Sequence, residues 1–153
     1  MHQRQTQAER EEGDDRHCPL VALHPQHGIS RLNPTRAQQI YAQSGLGPKD
    51  IDAAVIYDAF TAIVLWQLES FGFCKVGEAK DFVKNGNLEV GGRLPSNTHG
   101  GQLSEAYIHG MNGVNEGVRL IRGTSANQPK KADHVLVTAG VGVPTSAMIL
   151  GKA

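Results

Sequence analysis

Three short segments of the chain carry residues that can take part in catalysis or ligand binding. They are YDAF at 57–60, HGG at 99–101 and AGVG at 139–142. The first stands at the carboxyl end of a predicted strand, where open α/β sheets place ligand-binding and catalytic groups. The second leads into a predicted helix, whose N-terminus favours negative charge. Glycines in the second and third segments let backbone N–H groups approach a ligand closely.

Each segment also has an ordinary structural interpretation. Tyr57 can be a strand-end aromatic residue with its hydroxyl in water, and Tyr107 can be a core residue with one satisfied hydroxyl. His99 and His109 can be structural, and a Gly-x-Gly at 140–142 is common in hairpins. Composition and spacing alone therefore predict an α/β domain with a glycine-lined site, and they leave its chemistry open.

The elements that must position these segments begin with two helices and a strand. The stretch 33–44 predicts a helix that opens on an Asn-Pro pair and is ended by Gly45 or Gly47. The short, partly β-branched run at 53–57 predicts a buried strand. In residues 60–74 the apolar side chains recur at helical spacing, which predicts a helix. They cover so much of its circumference that we expect the helix to be buried on more than one side.

The second half of the chain predicts two more helices and two strands. Residues 77–86 predict a short amphipathic helix, and another helix is predicted to start near Gln102. The strands are predicted at 134–140 and 144–151, and this order of elements indicates an α/β fold. The helix that starts near Gln102 is predicted to have an inner, core-facing side and a line of polar residues beside it. The inner side comprises Leu103, Tyr107, Gly110, Met111, Val114, Val118 and Ile121. The polar line comprises Glu105, His109, Asn112 and Glu116.

Composition and charge limit the class of protein. Among 153 residues, 15 basic side chains balance 15 acidic ones, so a nucleic-acid-binding surface is not expected. No apolar run reaches the roughly 18 residues that span a bilayer, and the first residues lack the hydrophobic segment of a secretory signal. Cys18 and Cys74 have no metal-ligand spacing, so we expect reduced thiols in a cytoplasmic protein.

The chain is predicted to divide into residues 1–32, a flexible polar arm, and residues 33–153, one domain. Four histidines lie in the arm, but no cysteine or carboxylate stands at a ligand spacing from them. We therefore expect no metal site. The four histidines are His2, His17, His24 and His27.

Taken together, the segments are similar to a known family. From about residue 33 to residue 151 the chain resembles the C-terminal half of the thiolase superfamily, and it looks most like the sterol carrier protein X and lipid-transfer-protein types. YDAF stands where that group has Asn-Glu-Ala-Phe or His-Asp-Cys-Phe. THGGQLSEAYIHGMNG matches the family's His-Gly-Gly helix segment, and AGVGVPTSAMIL lies over its final Cys-x-Gly-x-Gly loop and closing strand. The resemblance implies a mixed sheet of about four or five strands with helices packed on it.

Three substitutions set this chain apart from a thiolase. The resemblance puts Tyr107 at the position of the catalytic histidine and Thr138 at the position of the acid–base cysteine. Tyr57 replaces the residue that helps to hold the oxyanion. Thiolysis needs a thiolate, a base that activates it and a second proton carrier, so thiolase chemistry is not expected. The YDAF and SEAYIHGM forms resemble instead a branch of aldolases that shorten steroid side chains held as CoA thioesters.

In that branch, the resemblance implies a retro-aldol reaction in which Tyr57 and Tyr107 act as base and acid, in either order. Phenols can do this near neutral pH only if hydrogen-bond donors or positive charge lower their pKa values. The groups expected around the thioester are His99, Gly100, Gly101, Gly140 and Gly142. The supporting residues are Asp58, Asn97 and His109, of which Asn97 or His109 is the candidate donor.

The resemblance also implies partners, because a thiolase fold stacks two similar halves. We expect a separate N-terminal half or a homo-oligomer to cover the helices of this chain, or else the chain to be an unstable fragment of a longer gene product. An OB-fold acyl-CoA-binding protein is a further implied partner. No cofactor is expected beyond coenzyme A as part of the substrate. Two alternatives stay open: an acyl-CoA acyltransferase half of the acetyl-CoA acetyltransferase type, and a catalytically inactive truncated or scaffold module.

Overall fold

The computed structural model describes residues 34–105, 108, 110–140 and 146–152. The predicted arm at 1–32, and its histidines and Cys18, lie outside the described residues. The elements, in chain order, are α1 (Pro34–Ser44), a 3-10 turn (Pro48–Asp50), β1 (Ala53–Val55), α2 (Thr61–Ser70), α3 (Ala79–Phe82), α4 (Met111–Arg122), β2 (His134–Ala139) and β3 (Ser146–Gly151). The predicted α/β class is confirmed, because helices α2 to α4 connect β1 to β2.

The three strands form one mixed sheet in the order β1-β2-β3. β1 runs parallel to β2, with Ala53 opposite Val135, and β2 runs antiparallel to β3. A single parallel bridge, from Ala54 to Ser96, extends the sheet beyond β1. The described residues thus contain three of the four or five expected strands. Because β1 and β2 are parallel, their carboxyl ends lie at the same edge of the sheet.

Apolar layers cover both faces of the sheet, which explains the uninterrupted apolar runs of its strands. On one face, α4 packs through Leu120. On the other face lie Leu68 and Phe71, at the end of α2. The strand residues on the α4 face are Ala53, Val55, Val135 and Val137, and those on the opposite face include Ala54, Ile56 and Leu136. Among the described residues, no helix is long and apolar enough to cross a membrane.

Helix α4 approaches the sheet closely because glycines face the strands. A Cβ atom at Gly117 would lie 2.6 Å from Cγ2 of Val137 and 2.9 Å from Cδ1 of Leu150. A Cβ at Gly113 would lie 3.2 Å from Cγ1 of Val55. At Gly117 the sheet therefore leaves room only for hydrogen, and at Gly113 a methyl group would fit only if Val55 moved by a few tenths of an ångström.

The predicted start of this helix near Gln102 is wrong, because residues 102–104 form a turn and α4 begins at Met111. The residue before it, Gly110, has a left-handed backbone (φ 88°) that interrupts a helix. The predicted inner face is partly wrong, since Leu103 is 97% exposed and Met111 is 54% exposed. Gly110 is buried as predicted, and Val114 and Ile121 pack, partly buried, against the core. The buried face comprises Asn112, Gly113, Glu116, Gly117 and Leu120, so two residues of the predicted polar line are buried.

Within the part of the chain that the structure describes, helix α2 buries only one side. Ile63, Gln67 and Leu68 are buried, and the apolar residues between them are half-buried. Phe60, just before the helix, is 72% exposed. The cover expected on a second side of this helix is not supplied by the described residues.

Candidate active site

The candidate site lies at the carboxyl end of β1, where the backbone continues past its last strand pair. The predicted strand at 53–57 ends at Val55, and the peptide groups of Ile56 are held by a side chain instead. The N–H of Ile56 donates to Oδ1 of Asn97 at 2.7 Å, and Nδ2 of Asn97 donates to the carbonyl of Ile56 at 2.9 Å. Asn97 itself adopts a left-handed backbone (φ 51°), which asparagine tolerates better than most residues. The carboxamide of Asn97 thus takes the place of a neighbouring strand.

The next residue, Tyr57, is held by two other buried side chains. Its N–H donates to Oγ1 of Thr138 at 2.9 Å, and its carbonyl accepts from Nε2 of Gln67 at 2.6 Å. Thr138 is 4% exposed and Gln67 is 2% exposed. Tyr57 is half-buried, at the edge where β1 and β2 end.

The glycine segment at 99–101 folds against Asp58. The N–H of Gln102 donates to Oδ1 of Asp58 at 3.1 Å. Gly101 has a left-handed backbone (φ 77°), and a Cβ atom there would lie 2.0 Å from Oδ2 of Asp58. Gly100 is also left-handed, and its N–H donates to the carbonyl of Asn97 at 2.8 Å. The segments at 57–60 and 99–101 are therefore in contact. Position 101 accepts only glycine, because the Asp58 carboxylate occupies the space that a Cβ atom would need.

A buried carboxylate that sequence reasoning missed ties this glycine loop to α4. Glu116, 2% exposed, accepts from the hydroxyl of Thr98, and Oγ of Ser125 donates to the same oxygen at 2.6 Å. Nη1 of Arg119 lies 3.6 Å from the other Glu116 oxygen and 3.6 Å from Oε1 of Glu105. The signal was present, because Glu116 lies between the two glycines of the buried helical stripe.

Some buried polar atoms of the glycine loop and of α4 have no hydrogen-bond partner among the described residues. They are Nδ1 of His99, Oε1 of Gln102 and both amide atoms of Asn112. Buried polar atoms are nearly always paired in folded proteins. These groups are therefore available to a bound molecule, to water or to other parts of the protein. Asn112 was not predicted as a binding residue.

The third glycine segment starts where β2 ends. Gly140 is left-handed (φ 75°), and a Cβ atom at Gly110 would lie 3.2 Å from Cβ of Ala139, so the start of α4 abuts this strand end. Among the sequence-predicted site residues, those placed by the structure are Tyr57, Asp58, Asn97, His99, Gly100, Gly101 and Gly140. Those that lie outside the described residues are Tyr107, His109 and Gly142.

A tyrosine elsewhere in the chain shows what burial does to a phenol. Tyr41 is partly buried, and its hydroxyl donates to the carbonyl of Phe71 at 3.0 Å. Burial raises the pKa of Tyr41 well above its ordinary value near 10, because the phenolate would lose its hydration. A tyrosine that acts as a base must therefore have a compensating donor.

Comparison with known proteins assigns the family. Residues 30–152 match the family described as thiolase C-terminal domain-like, and the chain belongs to that family. This confirms the resemblance derived from the three segments.

Two relatives of high sequence identity are named as an aldolase and a lyase. The chain is 71% identical over 114 residues to a steroid side-chain-cleaving aldolase of Thermomonospora curvata, covering 74% of this chain and 29% of the aldolase. It is 66% identical over 114 residues to a 17-hydroxy-3-oxo-4-pregnene-20-carboxyl-CoA lyase of Mycobacterium tuberculosis, covering 74% and 30%. A solved Ltp2-ChsH2(DUF35) aldolase superposes with a TM-score of 0.76 at 68% identity, covering 78% of this chain and 31% of that one. The chain thus spans less than a third of the length of these relatives.

Proposed function

We propose that this chain is part of an acyl-CoA lyase that cleaves a carbon–carbon bond in the side chain of a steroid or related lipid by a retro-aldol reaction. The observation that carries the proposal is the 71% and 66% identity to proteins named as a side-chain-cleaving aldolase and a CoA lyase. The reaction needs a base and an acid at one small reactant, and the resemblance to the thiolases implies that two tyrosines of the chain stand at active-site positions.

The proposed chemistry is a balanced cleavage without oxidation or reduction. A base removes the proton of a β-hydroxyl, the bond between the α and β carbons breaks, and a ketone or aldehyde leaves. The electron pair of that bond becomes a thioester enolate, and an acid then protonates its α carbon. Tyr57 and Tyr107 are proposed as the acid–base pair. Coenzyme A enters only as part of the substrate.

The surroundings of Tyr57 support this assignment. The residue stands at the shared carboxyl-end edge of β1 and β2, beside the loop that Asp58 fixes in place. The backbone donors of Gly101, Gly140 and Gly142 are proposed to face the thioester oxygen, because glycine permits close approach. The N–H of Gly100 already donates to the carbonyl of Asn97, so Gly100 is proposed only to let the substrate approach the loop closely. His99, whose Nδ1 has no partner among the described residues, is proposed as a further substrate-binding group.

The proposed enzyme is larger than this chain. Helix α2 leaves Leu65 and Trp66 partly exposed and is preceded by the exposed Phe60. An apolar surface of this kind is usually covered. We propose that a second thiolase-like half covers it, supplied by a partner, by a second copy or by the rest of a longer chain. The solved relative is an aldolase named for both Ltp2 and ChsH2(DUF35), and this pairing supports a partner subunit. An OB-fold acyl-CoA-binding protein is the proposed candidate.

The test is a product analysis on the native complex, purified through a tag on this chain and mixed with a steroid β-hydroxyacyl-CoA. The proposal predicts a ketone or aldehyde and a shortened acyl-CoA in equal amounts, without added free CoA. Product that forms only when free CoA is supplied, together with acetyl exchange between thioesters, would favour an acyltransferase instead. A complex that binds the substrate analogue but yields no product under either condition would contradict both activities and favour a scaffold.

A further inference from the structure

The backbone of Tyr57 lies in a closed ring of hydrogen bonds with two side chains from other elements. Its N–H donates to Thr138 Oγ1 (2.9 Å), Thr138 Oγ1 donates to Gln67 Oε1 (2.6 Å), and Gln67 Nε2 donates to the Tyr57 carbonyl (2.6 Å). Thr138 is in β2 and Gln67 is in α2, so the ring joins these two elements to the segment that follows β1. We call these two side chains the Tyr57 clamp.

The directions of these bonds follow from the chemistry of the groups. A backbone N–H can only donate and a carbonyl can only accept, so the hydroxyl of Thr138 accepts from Tyr57 and its single hydrogen goes to Gln67. The same reasoning fixes the amide of Gln67, whose Nε2 also lies 3.3 Å from the carbonyl of Ile63. The hydrogen of the Thr138 hydroxyl is therefore used within the ring.

Strand pairing alone would not hold Tyr57 in place. The β1–β2 ladder ends at the pair Val55 and Val137, two residues before Tyr57. Beyond that pair, Asn97 holds Ile56 and the clamp holds Tyr57, so two successive residues are fixed by side chains. The Cα of Tyr57, and with it the direction of its side chain, depends on these contacts.

We propose that Thr138 and Gln67 are positioning residues that fix the Tyr57 phenol for catalysis, and that Thr138 carries no proton in the reaction. This rests on the proposed function, in which Tyr57 is half of the acid–base pair. By resemblance, Thr138 stands where a thiolase has its acid–base cysteine. In this chain the side chain at that position, Thr138, instead accepts a hydrogen bond from the backbone N–H of Tyr57.

The first test uses Thr138→Val, which keeps the shape and removes the hydroxyl, and Thr138→Ser as the conservative control. Misplacing a catalytic group by about 1 Å can cost ~100-fold in rate, so we expect Thr138→Val to lower kcat by about 10- to 100-fold with little change in KM. Thr138→Ser should restore kcat to within about threefold, because it keeps donor and acceptor.

A second variant covers the case in which Thr138→Val does not fold. Thr138→Cys keeps a side chain of similar size, but a thiol is a weak donor and a weak acceptor. It should fold, show a lower kcat for cleavage and gain no thiolysis. An activity-independent measurement accompanies each variant: amide hydrogen exchange at Tyr57, which should be protected in the wild type and in Thr138→Ser and should accelerate in Thr138→Val or Thr138→Cys.

The outcomes separate this proposal from the proposed function. Suppose that Thr138→Val or Thr138→Cys keeps the wild-type kcat and the wild-type protection of the Tyr57 amide, while Tyr57→Phe is inactive. This result would overturn the proposed role of the clamp and leave the lyase assignment standing. A fully active Tyr57→Phe would overturn the catalytic role of Tyr57, and with it the catalytic purpose of the clamp. A gain of thiolysis in Thr138→Cys would contradict the claim that residue 138 is isolated from the reaction.

Discussion

The contact between Gly101 and Asp58 gives a prediction whose magnitude can be worked from the structure. In Gly101→Ala, the new Cβ would lie 2.0 Å from Oδ2 of Asp58, closer than real Cβ contacts, so the carboxylate must move by about 1 Å. The left-handed backbone (φ 77°) adds strain of about 1 kcal/mol. The bond from the Gln102 N–H to the carboxylate is lost as well, at a cost of about 1.5–3 kcal/mol.

A matched control separates the backbone strain from the lost contact. Gly45 has a similar backbone (φ 69°), and a Cβ atom added there would meet no other atom within 4 Å. Gly45→Ala should therefore cost only the strain, about 1 kcal/mol, and leave activity unchanged. Gly101→Ala should cost about 3 kcal/mol in denaturant unfolding and also lower kcat. Equal unfolding free energies for the two variants, with equal activity, would refute the proposed fit of the glycine loop against Asp58.

Three further predictions concern packing and ionisation. Gly117→Ala should lower Tm, because overpacking against Val137 costs up to about 3 kcal/mol and the gain in helix propensity is only about 1 kcal/mol. Gly91→Ala, whose Cβ would have no atom within 4 Å, should leave Tm unchanged, and equal Tm values for the two variants would contradict this. Burial opposes ionisation of Asp52, but the paired Lys131 and two backbone N–H groups hold the pKa of Asp52 below its ordinary value of 3.8. The stability that ionised Asp52 contributes is therefore present above that pH, and it is lost as the pH falls through the lower folded-state pKa. Asp52→Asn should remove this part of the acid-induced loss of stability, and a stability–pH curve identical to that of the wild type would count against it. Burial, and then two neighbouring carboxylates, raise the pKa of Cys74 to about 11. In a variant with the other cysteine replaced, the rate of Cys74 alkylation should therefore rise about tenfold per pH unit between about pH 8 and 10. A rate that reaches a plateau by about pH 9 would be inconsistent with this pKa.

The sequence predicted those parts of the fold that local patterns determine. The apolar runs of β1 and β2, and the glycine after α1 at Gly45, are signals within a few residues of one another, and the structure places the elements where those signals lie. The start of α4 was missed because the left-handed backbone of Gly110, which separates the turn from the helix, does not alter the hydrophobic periodicity from which helices are predicted.

The candidate site could be predicted only in outline. The three segments were recognisable by residue type, but the groups that support them act over long distances in the chain. Glu116 is buried because Thr98, 18 residues earlier, donates to it, and Gln67 bonds to Thr138, 71 residues later. A lone glutamine in an apolar helix was a visible hint of a buried polar contact, although its partner was not visible.

The most direct test of the central claim compares the three tyrosines of the chain, each changed to phenylalanine in the native complex. Tyr57→Phe and Tyr107→Phe should each lower kcat for carbon–carbon cleavage by about 100-fold or more, because general acid–base catalysis contributes about 10²- to 10⁴-fold. Tyr41→Phe, which removes a hydroxyl bonded to the carbonyl of Phe71, should retain kcat within about twofold. Wild-type cleavage rates in both Tyr57→Phe and Tyr107→Phe would contradict the account.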